Sequence, residues 1–571
     1  MGGASGADGG PDVALVSGGD SGTGGALASG GVAGGIGGTG GALATAGASG
    51  GTPATGGVLA SGGVAGGVTG TGGILASGGV AGGITGTGGV LVSGGRVASA
   101  GISGTGGTVT SGGRITSGGT SGTGGVSGGS VASAGISGTG GKGGSGGTGG
   151  STAYQVTFNL GIPVYRTVLR GLLVATTSQN EGVVVGAMGA GPAQSPDPGP
   201  TIQWYTSAGA KNNEKAFNQA ATPVAMTLGP DDSIWLVGLL TRSANFGGST
   251  LPQTDNGYYL VHLAADGSHL LSTTVTSSQV VWLDALVTDA QGNLYMGGEL
   301  VNTDYSVGTV FVRKVSSSGA TIFDRTFAST KDIGAVFGID LTPAGDIAIA
   351  GQFKGTLNFS VAQLTSKTGS AGTPVANGFV AVLGKADGTA MMARAFGGTV
   401  EDLGNSVQVT RAGALRVGGY VTGNGEVGGT AVSASASNSP TPFVAELNAT
   451  TGAASWVRVL GGDGVVFDAT TDAAGRTFAV GRFEGPGTGP ARTTGSSSFV
   501  AMVQPDSSLK VVMQTLTNWN GAMEVAIDGL GGLWVSGEYT GSVNFGLGTL
   551  VATGPLSVSD IATYLIYLKP I

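Results

Sequence analysis

Hydrophobic and polar residues alternate in one short motif that recurs through the chain from about residue 165 onward. The motif is a polar turn followed by apolar-x-apolar-x-Gly, and alternation with a period of two residues predicts a β-strand. The copies are EGVVVG at 181–186, DSIWLVG at 232–238, GNLYMGG at 292–298, GDIAIAG at 345–351, GALRVGG at 413–419, GRTFAVG at 475–481 and GGLWVSG at 531–537. Because a glycine closes every copy, we expect close packing or a β-bulge where these strands end.

Each copy lies within the same longer unit. An apolar stretch such as AVFGIDLTPA at 335–344 precedes it, and a hairpin with a tight polar turn, such as FVAVLGKADGTAMMARAF at 379–396, follows it. The unit is thus predicted to hold four antiparallel strands, A to D, with the motif as strand B. Seven such units around one axis form a β-propeller, whereas two packed sandwiches would not predict one unit repeated throughout. The predicted fold is all-β, a seven-bladed β-propeller of four-stranded antiparallel blades.

The last copy of the unit is incomplete. After the motif at 531–537 only one further strand, ATYLIYLK at 562–569, precedes the end of the sequence. We predict that YQVTFNL at 154–160, which precedes the first copy, supplies the missing outer strand. Its pairing with 562–569 would close the ring and remove an exposed sheet edge.

Composition divides the chain near residue 150. Of its 571 residues 120 are glycine, 62 of them in residues 1–150, and all 34 aromatic residues lie beyond that point. Without aromatic side chains the first segment cannot build an ordinary globular core. We therefore assign 1–150 to a Gly/Ser/Thr/Ala-rich repeat segment that acts as a linker or stalk, and 151–571 to the propeller.

The Gly-rich segment repeats with a period of 16 to 18 residues, as in TGGVLASGGVAGGVTG at 55–70 and TGGILASGGVAGGITG at 71–86. One interpretation is a disordered spacer, because each glycine loses much backbone entropy when it becomes ordered. The alternative is a thin β-solenoid with one coil per repeat, since fixed-period repeats of β-branched residues can stack.

Charge and cysteine content exclude several classes of protein. The chain has no cysteine, two histidines and a formal net charge of −8. Disulfides and Cys-ligated metal sites are therefore absent, and there is no basic surface for nucleic acid. No apolar run reaches 18 residues, so we predict no transmembrane segment.

The repeat carries a family resemblance. The run apolar-x-Asp/Thr-x-x-Gly-Asn-apolar-x-apolar-x-Gly, followed by a Phe-Val-x-x-apolar hairpin, resembles the bacterial β-propeller repeats known as SBBP repeats, over roughly 165–571. The resemblance implies an exported or surface-associated propeller and no particular activity. The start MGGASGADGG has no signal-peptide core, so an extracellular or cell-surface location requires a signal upstream of Met1.

Loop lengths predict which face of the propeller binds a ligand. The A–B and C–D turns are short, whereas long irregular stretches follow strands B, at 187–201, 358–376, 421–441 and 484–497. Loops on a rigid scaffold are the usual place for binding. We therefore expect the site on the face that carries the B–C and D–A loops, the long-loop face.

Polar residues just before strand A supply candidate ligand-binding groups at the channel mouth. Consecutive copies align Asp332, Asp402, Asp463 and Asn520. The three aspartates could hold Ca²⁺, the one cofactor that the sequence suggests, or they could bond their own turns. Glu401 with Asp402 or Asp463 is the carboxylate pair that a glycoside hydrolase would use.

Aromatic residues and histidines complete the candidates. Trp282 and Trp519 lie near the long-loop face, where they could stack on sugars or pack between blades. His262 and His269 flank a tight C–D turn on the opposite face, and we expect both to face solvent.

Three functions fit these observations. The first is a non-enzymatic secreted or cell-surface propeller on a Gly-rich stalk, which binds a polysaccharide or a protein through its long-loop face. The second is a structural surface or matrix component that self-associates through the Gly-rich repeats. The third is a propeller glycoside hydrolase or lyase. Fold alone does not decide among them.

Overall fold

The repeated motif forms the second strand of a four-stranded antiparallel unit in each of seven blades. The structure, a computed structural model, describes residues 154–162, 172–187, 199–217, 221–240, 242–253, 258–275, 279–302, 304, 306–433, 439–484, 496–517, 521–551 and 561–571, together with short strands between 21 and 138. Every element of regular structure in these residues is a β-strand. The prediction of an all-β, seven-bladed β-propeller is confirmed.

The strands of each blade run A to D from the propeller axis outward. In blades 1 to 4 they are Leu173–Thr176, Gly182–Ala187, Pro200–Tyr205 and Lys211–Ala216; Ala221–Leu228, Ile234–Leu240, Tyr258–Leu263 and His269–Val275; Val280–Thr288, Leu294–Val301, Gly308–Val315 and Thr321–Ala328; and Gly334–Leu341, Ile347–Lys354, Ala376–Leu383 and Ala390–Gly398. In blades 5 to 7 they are Leu403–Val409, Leu415–Thr422, Pro440–Leu447 and Ala454–Val459; Gly464–Thr471, Thr477–Phe483, Ser497–Val503 and Leu509–Leu516; and Gly521–Ile527, Leu533–Thr540, Ile561–Pro570 and Tyr154–Ile162.

Blade 7 joins the two ends of the propeller. Its outer strand Tyr154–Ile162 pairs antiparallel with Ile561–Pro570, from Tyr154 opposite Pro570 to Ile162 opposite Thr563. The Tyr154 hydroxyl also donates to the Gly531 carbonyl over 3.2 Å. The earliest and latest strands of the propeller therefore belong to one sheet, which closes the ring.

Hydrophobic side chains form one cluster in each of the seven interfaces between neighbouring blades. The interface that closes the ring, between blades 7 and 1, contains Trp534 and Tyr567 packed with Val184 and Tyr205. Burial of this apolar surface is the main force that holds blade against blade. Each blade is therefore buried on both faces, which explains the apolar character of strands B and C.

His262 occupies one of these interfaces. Its side chain is only 8% exposed, and its ring stacks on Trp235, with centroids 3.9 Å apart and planes 5° apart. The prediction that both histidines face solvent is wrong for His262. Trp235 and His262 are directly paired across strands B and C of blade 2, so the two rings share one face of the sheet. His269 is half-buried.

Strand A of blades 2 to 7 carries a β-bulge at one repeated position. The strand A–strand B register shifts by one residue there, which leaves one strand A residue without a partner in strand B. These bulge residues are Val224, Asp284, Phe337, Asn405, Phe467 and Met523. A bulge re-aims a side chain relative to the regular pleat. The six bulge residues are thus set apart from the interfaces between blades.

The glycine that closes the sequence motif lies opposite each bulge. Gly481, for example, pairs with Val466, the residue before the bulge residue Phe467. A Cβ atom on this glycine would overlap the carbonyl oxygen of Val465, and the corresponding glycines of the other five blades meet the same obstacle. The motif therefore ends in glycine because the bulged strand A runs too close for any side chain.

Two of the long stretches after strands B contain hairpins rather than irregular loops. Thr356–Asn358 pairs with Gln363–Thr365, and Asn424–Val427 pairs with Thr430–Ser433. The second hairpin also pairs with the outer strand of blade 4, where Glu426 lies opposite Gly397. A third hairpin, Ser542–Asn544 with Thr549–Val551, follows strand B of blade 7. The stretches 187–201 and 484–497 lie largely outside the described residues.

The unit Met1–Gly150 is separate from the unit Ser151–Ile571. Its described strands pair in parallel with the strand one repeat later, so Leu27 lies opposite Leu43 and Val90 opposite Thr108. This is the pairing that the β-solenoid interpretation predicts. The disordered spacer was predicted for the whole of 1–150, most of which lies outside the described residues.

These parallel strands form three sheets. They are Ser21–Gly22, Gly37–Gly38, Thr52–Ala54, Val68–Gly70, Ile84–Gly86, Ile102–Gly104, Thr120–Gly122 and Ile136–Gly138; Ala26–Ala28, Ala42–Ala44, Val58–Ser61, Ile74–Ser77, Val90–Ser93, Thr108–Ser111 and Val126–Ser127; and Arg96–Val97, Arg114–Ile115 and Ser130–Val131.

A glycine-to-alanine pair tests the role of the bulge. We expect Gly481→Ala to lower the free energy of unfolding by about 3 kcal/mol, because the new methyl group must displace backbone. Gly384→Ala is the matched control, since the nearest atom to its Cβ would be the Thr389 carbonyl oxygen at 3.6 Å. Chemical denaturation measures both, and equal losses would contradict the explanation.

Candidate functional site

A cavity of about 360 Å³ opens where the inner strands begin, on the long-loop face. We call it the channel mouth. Its lining comes from the first halves of strands A and from the end of strand B in blade 3. The lining residues are Trp282, Asp284, Glu299, Ala335, Phe337, Asn405, Phe467 and Met523. The size falls in the range of pockets that bury a small organic ligand.

The bulges build most of this cavity. Asp284, Phe337, Asn405, Phe467 and Met523 are all bulge residues, and they come from five consecutive blades. Each strand A otherwise directs its side chains into the interfaces with neighbouring blades. The bulge instead turns one side chain per blade toward the axis. The same backbone feature that requires the motif glycine therefore assembles the lining.

A narrower cavity of about 180 Å³, the inner channel, is lined by strands A of all seven blades. It shares Asp284, Phe337 and Asn405 with the channel mouth. Asp468 and Glu524 add two further carboxyl groups. Among the described residues that line either cavity there is no lysine, arginine or histidine. The described lining is therefore uniformly acidic or neutral.

Glu299 is the most perturbed carboxyl group of the channel mouth. Burial raises its pKa to about 7, a bond from the Gly334 backbone N–H opposes this rise, and the charges of Asp284 and Asp332 add to it. The Gly334 nitrogen lies 2.8 Å from Glu299 Oε1 and fixes the side chain. Glu299 also lies directly opposite Trp282 across strands A and B of blade 3. An acid that gains or loses its proton near neutral pH thus stands beside an aromatic ring.

The Phe467 ring of the channel mouth has a cationic neighbour. The Arg482 guanidinium lies 5.7 Å from the ring centroid, within the range of a cation–π interaction. Arg482 also pairs with Glu484 over 2.6 Å. The ring is therefore placed where it interacts with positive charge.

Asp402, predicted at the channel mouth, is instead buried within the protein, with 0% exposure. Its carboxylate accepts three hydrogen bonds of 2.7 Å, from the Gly398 and Thr422 backbone N–H groups and from Asn377 Nδ2. Burial raises its pKa to about 6, although these donors oppose the rise. The side chain ties the end of blade 4 to the start of blade 5.

The other predicted acids also lie outside the lining of the channel mouth. Asp332 is exposed and forms an ion pair with Lys354 over 3.1 Å. Glu401 is exposed and accepts bonds from Gln352 and from the Tyr420 hydroxyl. Asp463 is half-buried, and its backbone carbonyl accepts a bond from the Glu484 N–H.

These positions bear on the predicted Ca²⁺ site. The described residues contain no group of three or more acidic or histidine side chains that could hold a metal ion. Asp332, Asp402 and Asp463 thus form no such group there. Trp519 and Asn520, the remaining candidates, lie outside the described residues.

Of the aromatic candidates, Trp282 lines the channel mouth, as the sugar-stacking alternative requires. The bulge residues were not recognised from the sequence, although a signal exists. Each stands 14 residues before the glycine of its motif, as Asp284 does before Gly298 and Phe467 before Gly481. The five lining positions differ in type, so an apolar pattern alone does not reveal them.

Comparison with known proteins supports the fold alone. No protein-family model matches the chain, and no curated protein sequence matches it. Among solved structures it is similar to a streptogramin B lyase, at 9% identity over 74% of this chain and 98% of that chain, with a TM-score of 0.38. The Neurospora crassa Pan2 WD40 domain gives 9%, 73%, 96% and 0.41 for the same quantities. A gluconolactonase from Xanthomonas campestris gives 12%, 60%, 87% and 0.29. At these values the similarities carry no argument about function.

The described residues also bear on a membrane role. They include no helix long and apolar enough to cross a membrane.

Replacing Asp402 and Asp332 separates a structural carboxylate from a surface one. We expect Asp402→Ala to lower the free energy of unfolding by about 3 kcal/mol, because three buried donors lose their acceptor. Asp332→Ala should cost less than about 1 kcal/mol, since an exposed ion pair contributes little. Thermal unfolding with and without Ca²⁺ measures both. A Ca²⁺-dependent rise in melting temperature that Asp402→Ala abolishes would contradict the purely structural role.

Proposed function

We propose that the chain is a non-enzymatic, cell-surface propeller that binds a polysaccharide or a protein segment in the channel mouth. The observation that carries this proposal is the convergence of five bulge residues from consecutive blades on one cavity. A bulge repeated in six blades costs regular pairing each time, and here its product is a lining of varied chemistry. Varied side chains on a uniform backbone are what a binding site on a rigid scaffold requires.

The chemistry of the lining supports an inserted ligand group. Trp282, Phe337 and Phe467 offer aromatic faces, and Asp284 and Glu299 offer hydrogen-bond acceptors. Sugars and the side chains of proteins both combine an apolar surface with polar groups that such a lining can match. The Gly-rich repeats would act as the stalk, and the resemblance to SBBP-type repeats supports a surface location.

Aromatic substitutions test the proposed site. The full chain is screened by thermal shift against soluble polysaccharides and synthetic peptides, because a ligand that binds only the folded state raises the melting temperature. We expect Trp282→Ala and Phe467→Ala to weaken binding of the best ligand by about tenfold or more, since each removes an aromatic contact. Met391→Ala, on a side chain that is 57% exposed on the outer strand of blade 4, is the control. Binding that survives both aromatic substitutions would contradict the site.

One observation favours a second function, a glycoside hydrolase. Asp284 and Glu299 share the channel mouth, whereas Glu401, Asp402 and Asp463 lie outside its lining. Hydrolysis of a glycosidic bond uses two carboxyl groups, one of them protonated as the acid. The raised pKa of Glu299 keeps it partly protonated at neutral pH.

Chromogenic aryl glycosides test this second function. If the chain hydrolyses one of them, Glu299→Gln should reduce kcat by about 100-fold or more, because it removes the acid. Glu401→Gln is the matched control and should keep full activity. No hydrolysis by the unaltered chain would refute the hydrolase.

A further inference from the structure

We propose that the channel mouth recognises an organic ammonium group, held between the rings of Trp282, Phe337 and Phe467 and the carboxyl groups of Asp284 and Glu299. This inference rests on the proposed binding function and specifies the chemistry of the inserted group. An amino sugar and a lysine side chain both carry such a group.

The charge of the lining carries the first step. The described lining of the channel mouth and the inner channel has four carboxyl groups, those of Asp284, Glu299, Asp468 and Glu524, and no basic side chain. Low-dielectric walls focus the field of such groups, which concentrates cations at the opening. An anionic ligand would meet repulsion from every described charge in the lining.

The aromatic rings carry the second step. Three of the eight lining residues are Trp282, Phe337 and Phe467, and an aromatic face attracts a cation through its quadrupole. The Arg482 guanidinium beside the Phe467 ring is an example within this protein. Rings and carboxylates on one cavity wall are the combination that binds ammonium groups with apolar substituents.

Geometry favours an organic cation over a metal ion. Ca²⁺ takes six to eight oxygen ligands at close range, and Mg²⁺ needs a near-octahedral shell. The channel mouth offers three residues with carboxyl or amide oxygens, Asp284, Glu299 and Asn405, among apolar ones. A volume of about 360 Å³ suits a bulky group that contacts rings and carboxylates together.

The state of Glu299 adds a pH dependence. Below a pKa of about 7 the side chain is neutral, and above it the charge favours a cation. The charged groups that face it are Asp284 on strand A of the same blade and Asp332 on the loop before blade 4, the latter paired with Lys354. We therefore expect affinity for an ammonium ligand to rise from about pH 6 to about pH 8.

Choline and its neutral isostere 3,3-dimethylbutan-1-ol form the decisive comparison, because they share shape and differ in charge. Calorimetric titration of the full chain at about pH 8 should give choline a dissociation constant lower by about tenfold or more. Equal binding of the two, or no binding of choline, would overturn the inference. Because this comparison uses the unaltered chain, it does not depend on whether a variant folds.

Variants then locate the binding. Asp284→Asn and Glu299→Gln should each weaken choline binding by about tenfold, and Glu299→Gln should also remove the rise with pH. Asp506→Asn is the control, because Asp506 lies in the C–D turn of blade 6 on the opposite face. Choline binding that all three variants retain would overturn the assignment to the channel mouth.

Two further ligands identify the source of the group. A chitosan oligomer tests an amino sugar, and a lysine-containing peptide tests a protein side chain; tighter binding of either than of its N-acetylated form supports the inference. A neutral glycan that binds through Trp282 while choline does not would overturn the inference and leave the proposed function intact. If neither the charged nor the neutral ligands bind, both fail.

Discussion

The close approach of strand A to strand B at one repeated point determines much of this structure. At that point the strand A carbonyl occupies the space that a side chain on strand B would need, so glycine stands there in blades 2 to 7. The same point is where strand A bulges and gains one residue. A steric constraint on a glycine and the direction of a side chain at the axis are thus two consequences of one backbone irregularity.

Neighbouring inner strands belong to different sheets, so polar side chains connect them. The Asp340 carboxylate of blade 4 accepts a bond of 2.6 Å from the Val409 N–H of blade 5. Asp468 of blade 6 accepts one of 3.0 Å from the Val525 N–H of blade 7, and the Thr176 hydroxyl of blade 1 donates to the Ile527 carbonyl of blade 7 over 2.9 Å. These bonds satisfy backbone groups that strand pairing leaves open on the axial edge. They explain why buried carboxyl groups occur in a propeller without being part of its ligand site.

The channel mouth unites these two features in a surface of distinct chemistry. Bulges deliver rings and carboxyl groups from separate blades to one cavity, and the interfaces between blades hold their positions to within the rigidity of the packed core. Each lining position can differ in residue type without disturbing the strand that carries it. The site is therefore a property of the ring, because no single blade contains enough of it to bind a ligand.

The sequence by itself determined the strands, their number and their order. Alternation of period two identifies strand B, and seven copies with the same surroundings require a ring of four-stranded blades. The sequence also indicated the long-loop face and one lining residue, Trp282. These features are local or repeated, so they leave a pattern along the chain.

The tertiary structure alone decided the site. Asp402 and Asp332 occupy equivalent places in the repeat, yet one is buried under three donors and the other is exposed, because their surroundings come from different loops. His262 is covered because strand pairing places Trp235 on its ring. Asp284 and Phe467 face the same cavity although 183 positions separate them in the sequence. Which side chains converge on the axis depends on closing the ring, and that distance along the chain leaves no periodic trace in the sequence.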